Sequence, residues 1–287
     1  MTKPTINAFF DEATFTVTYV AADPGSGKAA IIDPVLDFDP ASGRTATTSA
    51  ERVLQYVQEQ QLQVEWILET HVHADHLTAA PLLKERLAAT TAIGQHVTAV
   101  QNTFKGVFNI KGLATDGSQF DRLFSDDDTF ELGALPARVM HTPGHTPGCV
   151  TYVIGDAAFV GDTLFMPDFG TARTDFPGGS AAKLYDSIQK IFALPDDTRL
   201  FMCHDYKAPG RDEFAWETTV AEQRASNKHI NDGVSRDEFI AMREQRDSEL
   251  GMPKLILPSL QVNLRAGDLP DPEDNNVRYL KIPINAV

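Results

Sequence analysis

His71-Val72-His73-Ala74-Asp75-His76 decides how this chain is read. Its imidazoles and carboxylate follow directly on Val64-Glu65-Trp66-Ile67-Leu68, an apolar run that reads as a buried strand. Imidazole and carboxylate are the usual ligands of borderline and hard divalent cations. In an extended segment residues i and i+2 share one side, so His71 and His73 reach one ion together. An isolated His-x-His is more often a solvated loop. The added Asp75-His76 pair, and ligand-type residues further on, turn the balance toward a metal centre.

The second group lies in His141-Thr-Pro-Gly-His145-Thr-Pro-Gly-Cys149, which leads into Val150 to Ile154, Gly155-Asp156, Ala157 to Gly161 and then Asp162. Gly155-Asp156 between two apolar runs predicts a two-residue hairpin turn. In that register Ile154 faces Ala157 and Cys149 faces Asp162, which returns Asp162 to the sheet end that carries His145. One local element thus joins two ligand-type residues distant in sequence. His204 ends another strand, Arg199 to Met202, and is a further ligand candidate. His141 is read as structural. His96 and His229 have no ligand-type company and are read as ordinary polar residues.

The chain has 287 residues, 42% hydrophobic and 23% charged, ordinary for a globular enzyme with a sizeable core. A formal charge of -15 sets the average surface against nucleic-acid phosphates. No apolar run approaches the roughly 20 residues that span a bilayer. The first forty residues fit neither a secretory signal nor an Arg-rich transit peptide. Only Cys149 and Cys203 are present, so no disulfide framework is expected and the reading is cytoplasmic.

Strands are expected at Thr14 to Val20, Ala29 to Ile32 and Val64 to Leu68, the second stopped by Asp33-Pro34. Residues 37 to 48 read as a surface loop. A helix follows, with Thr48-x-x-Glu51 as its capping box and Val53, Leu54 and Val57 facing inward. The next begins near Thr78 with Pro81 in its first turn. Residues 95 to 128 are polar and glycine-spotted and receive no assignment, and Asp126-Asp127-Asp128 reads as a solvated turn. A helix after Ser180 presents Leu184, Ile188, Ile191 and Phe192 on one face. Residues 211 to 250 read as helix-rich, and the tail from 251 to 287, with apolar stretches at Leu255 to Leu260 and Tyr279 to Ile284, as packed. Alternating strands and helices give an α/β fold, expected as one domain over residues 1 to 287. The ligand candidates sit at strand ends, where sites of α/β folds gather.

His71-x-His73-x-Asp75-His76, Gly144-His145, Asp162 and His204, in this order, resemble the metallo-β-lactamase superfamily across residues 12 to 210. The resemblance implies an αββα sandwich with the metal site at one edge of two facing sheets, and in many relatives two zinc ions around a bridging hydroxide. Thr70 to His76, His145-Thr-Pro-Gly-Cys149-Val-Thr-Tyr152, Gly161-Asp162 and Ala172-Arg173-Thr174-Asp175-Phe176 are similar to the persulfide dioxygenases, the family of the ethylmalonic encephalopathy protein and bacterial sulfur dioxygenases. That likeness implies one Fe(II) per chain held by His71, His145 and Asp162. His73, Asp75, His76 and His204 would then orient the ligands and shape the cavity. The longer stretch from Asp162 to Arg173 resembles bacterial members, as does the tail from Pro258; some of those carry a fused rhodanese domain, and none is expected within these residues, since the core and its tail use every segment.

The implied substrates are glutathione persulfide and O2, with sulfite and glutathione as products. An anionic substrate approaching an acidic chain needs local cations. Arg173 is the first candidate, with Lys207 and Arg211 for the glycine carboxylate and Tyr206 for a hydrogen bond; for Lys207 and Arg211, surface ion pairing is an equal alternative. Cys149 and Cys203 read as small core residues. The competing expectation is a glyoxalase II-like dizinc glutathione thioester hydrolase. Relatives of this kind often pair, so a homodimer through the apolar tail is a further expectation.

Overall fold

The computed structural model describes residues 3–285. β1 (Thr5–Asp11) and β2 (Thr16–Ala22) form a hairpin in which Asp11 lies opposite Thr16, and β3 (Lys28–Ile32) pairs antiparallel with β2. Residues 37–48 are not a loop. They carry most of a hairpin of β4 (Val35–Asp39) and β5 (Arg44–Ala46). Asp39 accepts from the Ala41 amide and the Ser42 hydroxyl, so the polar composition there builds a tight turn between paired strands.

α1 (Thr48–Glu59) buries Ala50, Val53 and Val57 against the sheet. The expected capping box is absent. Thr47 stands at the N-cap without a side-chain bond, and Asp37 instead receives the Ser49 amide and hydroxyl. β6 (Gln63–Leu68) runs parallel to β3. Beyond the histidine cluster, β7 (Leu77–Thr78) pairs with β4, and α2 (Ala80–Leu87) has its proline in the first turn as expected. β8 (Thr90–Gly94) adds a further parallel strand beside β6.

The unassigned stretch contains α3 (Val97–Val107) and β9 (Arg122–Phe124). α3 buries Val97, Val100 and Phe104, a helical spacing that its polar and glycine neighbours obscure in sequence. Then come β10 (Thr129–Leu132), β11 (Leu135–His141), β12 (Val150–Ile154) and β13 (Ala157–Phe159), all antiparallel neighbours. Ile154 pairs with Ala157 as the hairpin reading requires, and a single 3-10 turn, Gly161–Thr163, follows. α4 (Ala181–Phe192) is capped by the Ser180 hydroxyl, which accepts from the Lys183 amide. β14 (Arg199–Phe201) lies parallel to β13, and β15 (Glu217–Thr219) pairs with β14. α5 (Val220–Ser226) and α6 (Arg236–Asp247) each start with a complete capping box, Thr219 with Glu222 and Ser235 with Glu238. α7 (Ile256–Asn263) closes the helical part.

One sheet has the order β1-β2-β3-β6-β8-β9 and the other β10-β11-β12-β13-β14-β15. Their inner faces meet in a core of Tyr19, Ile32, Leu68 and Phe124 from the first sheet with Val139, Tyr152, Phe159 and Phe201 from the second. Each such side chain contributes about 1.5–3 kcal/mol by burial. α1 and α2 cover the outer face of the first sheet, and α4 and α6 that of the second, which is the αββα arrangement. Two tyrosines satisfy their hydroxyls across the sandwich. Tyr19 donates to the Met202 carbonyl at 2.6 Å and Tyr152 to the Glu69 carbonyl at 3.0 Å. Both receiving carbonyls lie next to candidate ligands, so the core fixes the distance between the strand ends that build the site.

The tail divides. Ile256, Leu260 and Leu264 are buried with α3, as expected of a packed segment. The second apolar stretch is not packed: Tyr279 is 46%, Ile282 70% and Ile284 77% exposed. Lys281 is tied to the Gln261 side chain through its amide and carbonyl, but Pro283 interrupts the stretch and no helix or strand forms there.

Candidate metal centre

β3, β6, β13 and β14 end at the same edge of the sandwich, and their C-terminal continuations carry Asp33, His71 to His76, Asp162 and His204. His145 arrives from the Pro-Gly turns before β12. The close approach of that turn to α4 depends on Gly144, where a Cβ would lie 2.4 Å from the Leu184 Cα. The hairpin reading therefore holds in space: His145 Nε2 lies 3.7 Å from Asp162 Oδ2, and His71 Nε2 lies 3.9 Å from the same oxygen. His204 Nε2 is 3.4 Å from Asp162 Oδ1 and 3.1 Å from Asp75 Oδ2.

All five imidazoles are held by one nitrogen and offer the other. His145 Nδ1 donates to the Arg173 carbonyl at 2.8 Å, which leaves Nε2 as the lone-pair atom. The Thr70 hydroxyl donates to Asp33 Oδ2 at 2.8 Å, so it accepts from His71 Nδ1 at 3.1 Å and frees His71 Nε2. His204 Nδ1 donates to the Phe15 carbonyl at 3.2 Å. His76 Nδ1 lies 3.3 Å from both Asp75 Oδ2 and the Thr16 hydroxyl. His73 is reversed: its Nε2 donates to Asp33 Oδ1 at 2.9 Å and its Nδ1 is free. His71 Nε2, His73 Nδ1, His76 Nε2, His204 Nε2 and Asp162 Oδ1 are all buried without a hydrogen-bond partner. Unpaired polar atoms of this kind cost free energy unless a ligand completes them, and nitrogen and oxygen donors converging from several elements fit a divalent cation.

Two of the groups these atoms form have no residue in common. His71, His145 and Asp162 lie within 4.8 Å of one another, and so do His73, Asp75, His76 and His204. Burial and the neighbouring His73 and His145 hold the His71 imidazole well below its ordinary pKa, so it is neutral and able to ligate. Burial, with His73, likewise lowers that of His76. For His73 burial also acts downward, but the carboxylates of Asp33 and Glu69 outweigh it and raise the pKa well above the ordinary value. A cation at Nδ1 would displace that extra proton. Burial opposes ionisation of Asp75 too, but His204 and His76 hold its carboxyl well below the usual range.

Asp33, Glu69 and Thr16 support the site and were not singled out in sequence. Asp33 was read only as a strand stop. A charged residue ending a buried strand just before a proline was the available signal. Glu69 faces His73 at 3.3 Å and receives the Thr78 hydroxyl.

The side chains expected to contact substrate have partners within the chain. Arg173 forks onto Asp175 and donates to the Gly251 carbonyl at 2.6 Å, with its guanidinium over the Phe176 ring. Arg211 is forked onto both Asp205 and Asp168. Both guanidinium groups are engaged by carboxylates of the chain itself, which for Arg211 is the ion-pair alternative. Lys207 holds its ammonium 4.3 Å from the Phe214 ring centre. Tyr206 is half-exposed and stacks on His204, ring centres 5.7 Å apart. His141 is structural as expected, donating to the Pro147 carbonyl and stacking on His96. His229 is a buried acceptor for the Thr171 amide. Cys149 and Cys203 are buried core residues, and burial pushes the Cys149 thiol up to about 12. Among the described residues no helix is long and apolar enough to cross a membrane.

Residues 12–204 match the metallo-beta-lactamase superfamily. A probable metallo-hydrolase of Burkholderia pseudomallei is 57% identical over 99% of this chain and 100% of its own length. Glyoxylase B2 of Dictyostelium discoideum is 51% identical over 99% of this chain and 98% of its own. The human mitochondrial persulfide dioxygenase ETHE1 is 32% identical over 91% of this chain and 88% of its own. Some relatives are longer, and the chain spans 65% of their length. Among solved structures, ETHE1 from Myxococcus xanthus is 34% identical, with a TM-score of 0.73 over 92% of this chain and 100% of that one. The chain belongs to the metallo-beta-lactamase superfamily and has the ETHE1 persulfide dioxygenases among its homologues.

Proposed function

We propose that the chain is a glutathione persulfide dioxygenase that works with one Fe(II) held by His71, His145 and Asp162. The observation that carries the reading is the convergence of His71 Nε2, His145 Nε2 and an Asp162 oxygen as a distinct set. Two imidazoles and a carboxylate are the donors of non-haem ferrous oxygenases and leave coordination positions open. The likeness to ETHE1 over nine-tenths of the chain supports the same choice. Ferrous iron in such a site supplies the electron chemistry that O2 requires and zinc lacks.

The overall balance is one glutathione persulfide, one O2 and one water giving glutathione, sulfite and two protons. The chain's own contribution is placement and charge. Arg173 keeps the His145 ring in its ligating orientation through its carbonyl. Asp75, between His76 and His204, is a partly buried, firmly ionised carboxylate that orients those two rings beside the ligand set. Tyr206 and Lys207, following His204, are the proposed substrate contacts, and Arg211 supports them by fixing Asp205.

A dizinc glutathione thioester hydrolase is the second reading. It is favoured by the second donor set, His73, Asp75, His76 and His204, and by the 51% identity to Glyoxylase B2. Anaerobically purified protein should carry one iron per chain and consume O2 with glutathione persulfide. Two zinc ions per chain, with thioester hydrolysis and no O2 uptake, would replace the first reading by the second.

A further inference from the structure

We propose that Asn263, on α7, is a positioning residue for the candidate metal centre, clamping the ligand loop by its backbone. Its Nδ2 donates to the carbonyls of His73 at 2.9 Å and His76 at 2.8 Å, and its Oδ1 accepts from the Thr78 amide at 3.0 Å. Both amide protons and the oxygen are used, which fixes the orientation of the group. Asn263 is 3% exposed, so water does not replace these bonds.

The clamp holds two carbonyls of a segment that lies between strands. Residues 69–76 leave β6 and rejoin a strand only at β7, and among the described residues no backbone amide outside a helix or strand donates to the His73 or His76 carbonyl. α7 is well placed to act as an anchor. Ile256, Leu260 and Leu264 pack in one cluster with Val72 and Ala74 of the loop and Phe104 of α3, and Gln101 donates to the Leu264 carbonyl at 3.0 Å. The support comes from about sixty residues beyond the superfamily match, which ends at residue 204. The inference rests on the loop binding a metal, and it stands whichever of the two reactions the centre performs.

The test uses iron-loaded protein challenged with excess chromogenic chelator, with release followed by absorbance. Asn263→Ala should release metal at least about 10-fold faster than the parent, the range of lost supporting bonds at metal sites. Asn263→Ser, which keeps one donor, should be intermediate. Val57→Ala opens a similar cavity under α1, in a cluster that contains neither α7 nor the ligand loop, and should release metal at the parent rate. Hydrogen exchange should rise in 71–78 of the Asn263 variants and stay unchanged in β2. Folded Asn263 variants with parent release rates and parent exchange in 71–78 overturn the proposal, as does equal acceleration by Val57→Ala. A measurement on the unaltered protein needs no variant: the Thr78 amide should exchange no faster than the amides of α7. Rapid Thr78 exchange while α7 stays protected overturns the proposal as well.

Discussion

The Nε2 proton of His73 is directed at Asp33 Oδ1, 2.9 Å away, so this ring presents Nδ1 to the ligand cluster while its neighbours present Nε2. Asp33 does more than orient one ring. It also accepts from the Thr70 amide at 2.7 Å and the Thr70 hydroxyl at 2.8 Å, and Thr70 in turn fixes His71. One buried carboxylate at the end of β3 thereby sets two candidate ligands.

Asp33→Ala should destabilise the metal-free protein by about 3–5 kcal/mol, the cost of leaving a buried charged partner uncompensated. Urea unfolding against pH checks both size and sign. Burial raises the Asp33 pKa, but His73 together with the Thr70 amide and hydroxyl more than offsets it, so the folded value lies below the unfolded one. The Asp33 contribution is present above the unfolded carboxylate value near ~3.9 and is lost as pH falls through the folded value. His73 is shifted upward, so its contribution is complete below its unfolded value near ~6.5 and disappears as pH rises through the raised one. The two windows overlap between about pH 4 and 6.5, where parent and variant should differ most. An equal difference at pH 5 and pH 10 contradicts the assignment.

Arg173→Ala separates substrate contact from positioning. The side chain holds Asp175 and the Gly251 carbonyl, and the Arg173 carbonyl receives His145 Nδ1. Removing the guanidinium frees the 172–176 segment and lets the His145 ring drift. Metal affinity should fall about 10- to 100-fold, with kcat reduced at matched metal occupancy. A raised KM with unchanged kcat and metal affinity is the signature of a direct substrate contact and would restore the sequence-based expectation for this residue.

Gly144→Ala tests the turn that delivers His145. The added Cβ would lie 2.4–2.5 Å from the Leu184 backbone and Cβ, where no side-chain rotation gives relief. Either α4 or the His145 turn must move, at a cost of about 3 kcal/mol or more. For a chain of this size that corresponds to a melting point lower by roughly 6–12 °C. A calorimetric melt within 2 °C of the parent (about 1 kcal/mol or less) shows that the turn yields easily.

The candidate ligands were legible because ligand chemistry is written in residue type, and because two short patterns, His71 to His76 and His145 to Asp162, each fold locally. The hairpin at Gly155-Asp156 needed only its turn and flanking apolar runs to bring Asp162 back to His145. The supporting residues were hidden for the opposite reason. Asp33, Thr16 and Asn263 are common residue types whose roles arise from parallel pairing of β3 with β6 and from docking of α7, relations between distant segments. The same holds for Arg173 and Arg211, since sequence shows a cation but not the carboxylate that folding places against it. Val97, Val100 and Phe104 carried a helical period, but the polar and glycine residues around them masked α3.

His229 gives a pH prediction away from the candidate metal centre. It is 6% exposed and accepts the Thr171 amide through Nδ1. Burial, then Arg243, Arg246 and Lys228, lower its pKa to about 3. A depressed histidine stabilises the fold above its unfolded value near ~6.5, and that stability is lost progressively as pH falls toward the folded value. At pH 5 the loss should be about 1–2 kcal/mol, allowing for partial hydration of the ring. NMR titration should show its ring neutral down to about pH 4, one unit above the folded value of about 3. A midpoint near pH 6 refutes the burial argument.

The two donor sets predict different outcomes when each is broken separately. His145→Ala removes a donor from the set with His71 and Asp162, and Asp75→Asn removes the charge that joins His76 and His204 in the other. If a single iron sits on His71, His145 and Asp162, His145→Ala should abolish binding. Asp75→Asn should then keep one metal per chain and lose activity by roughly 10- to 100-fold, as expected on removing a group that orients its neighbours at a metal site. If two ions are bound, Asp75→Asn should lower the content from two per chain toward one, and His145→Ala should leave the other ion in place. Asp162 borders both sets, at 3.4 Å from His204 and 3.7 Å from His145, so its loss is uninformative about count and the other pair decides. Metal analysis of both variants after identical anaerobic loading discriminates because the predictions run in opposite directions. It also does so without any substrate, which keeps the question of how many ions the chain holds apart from the question of what it oxidises or hydrolyses.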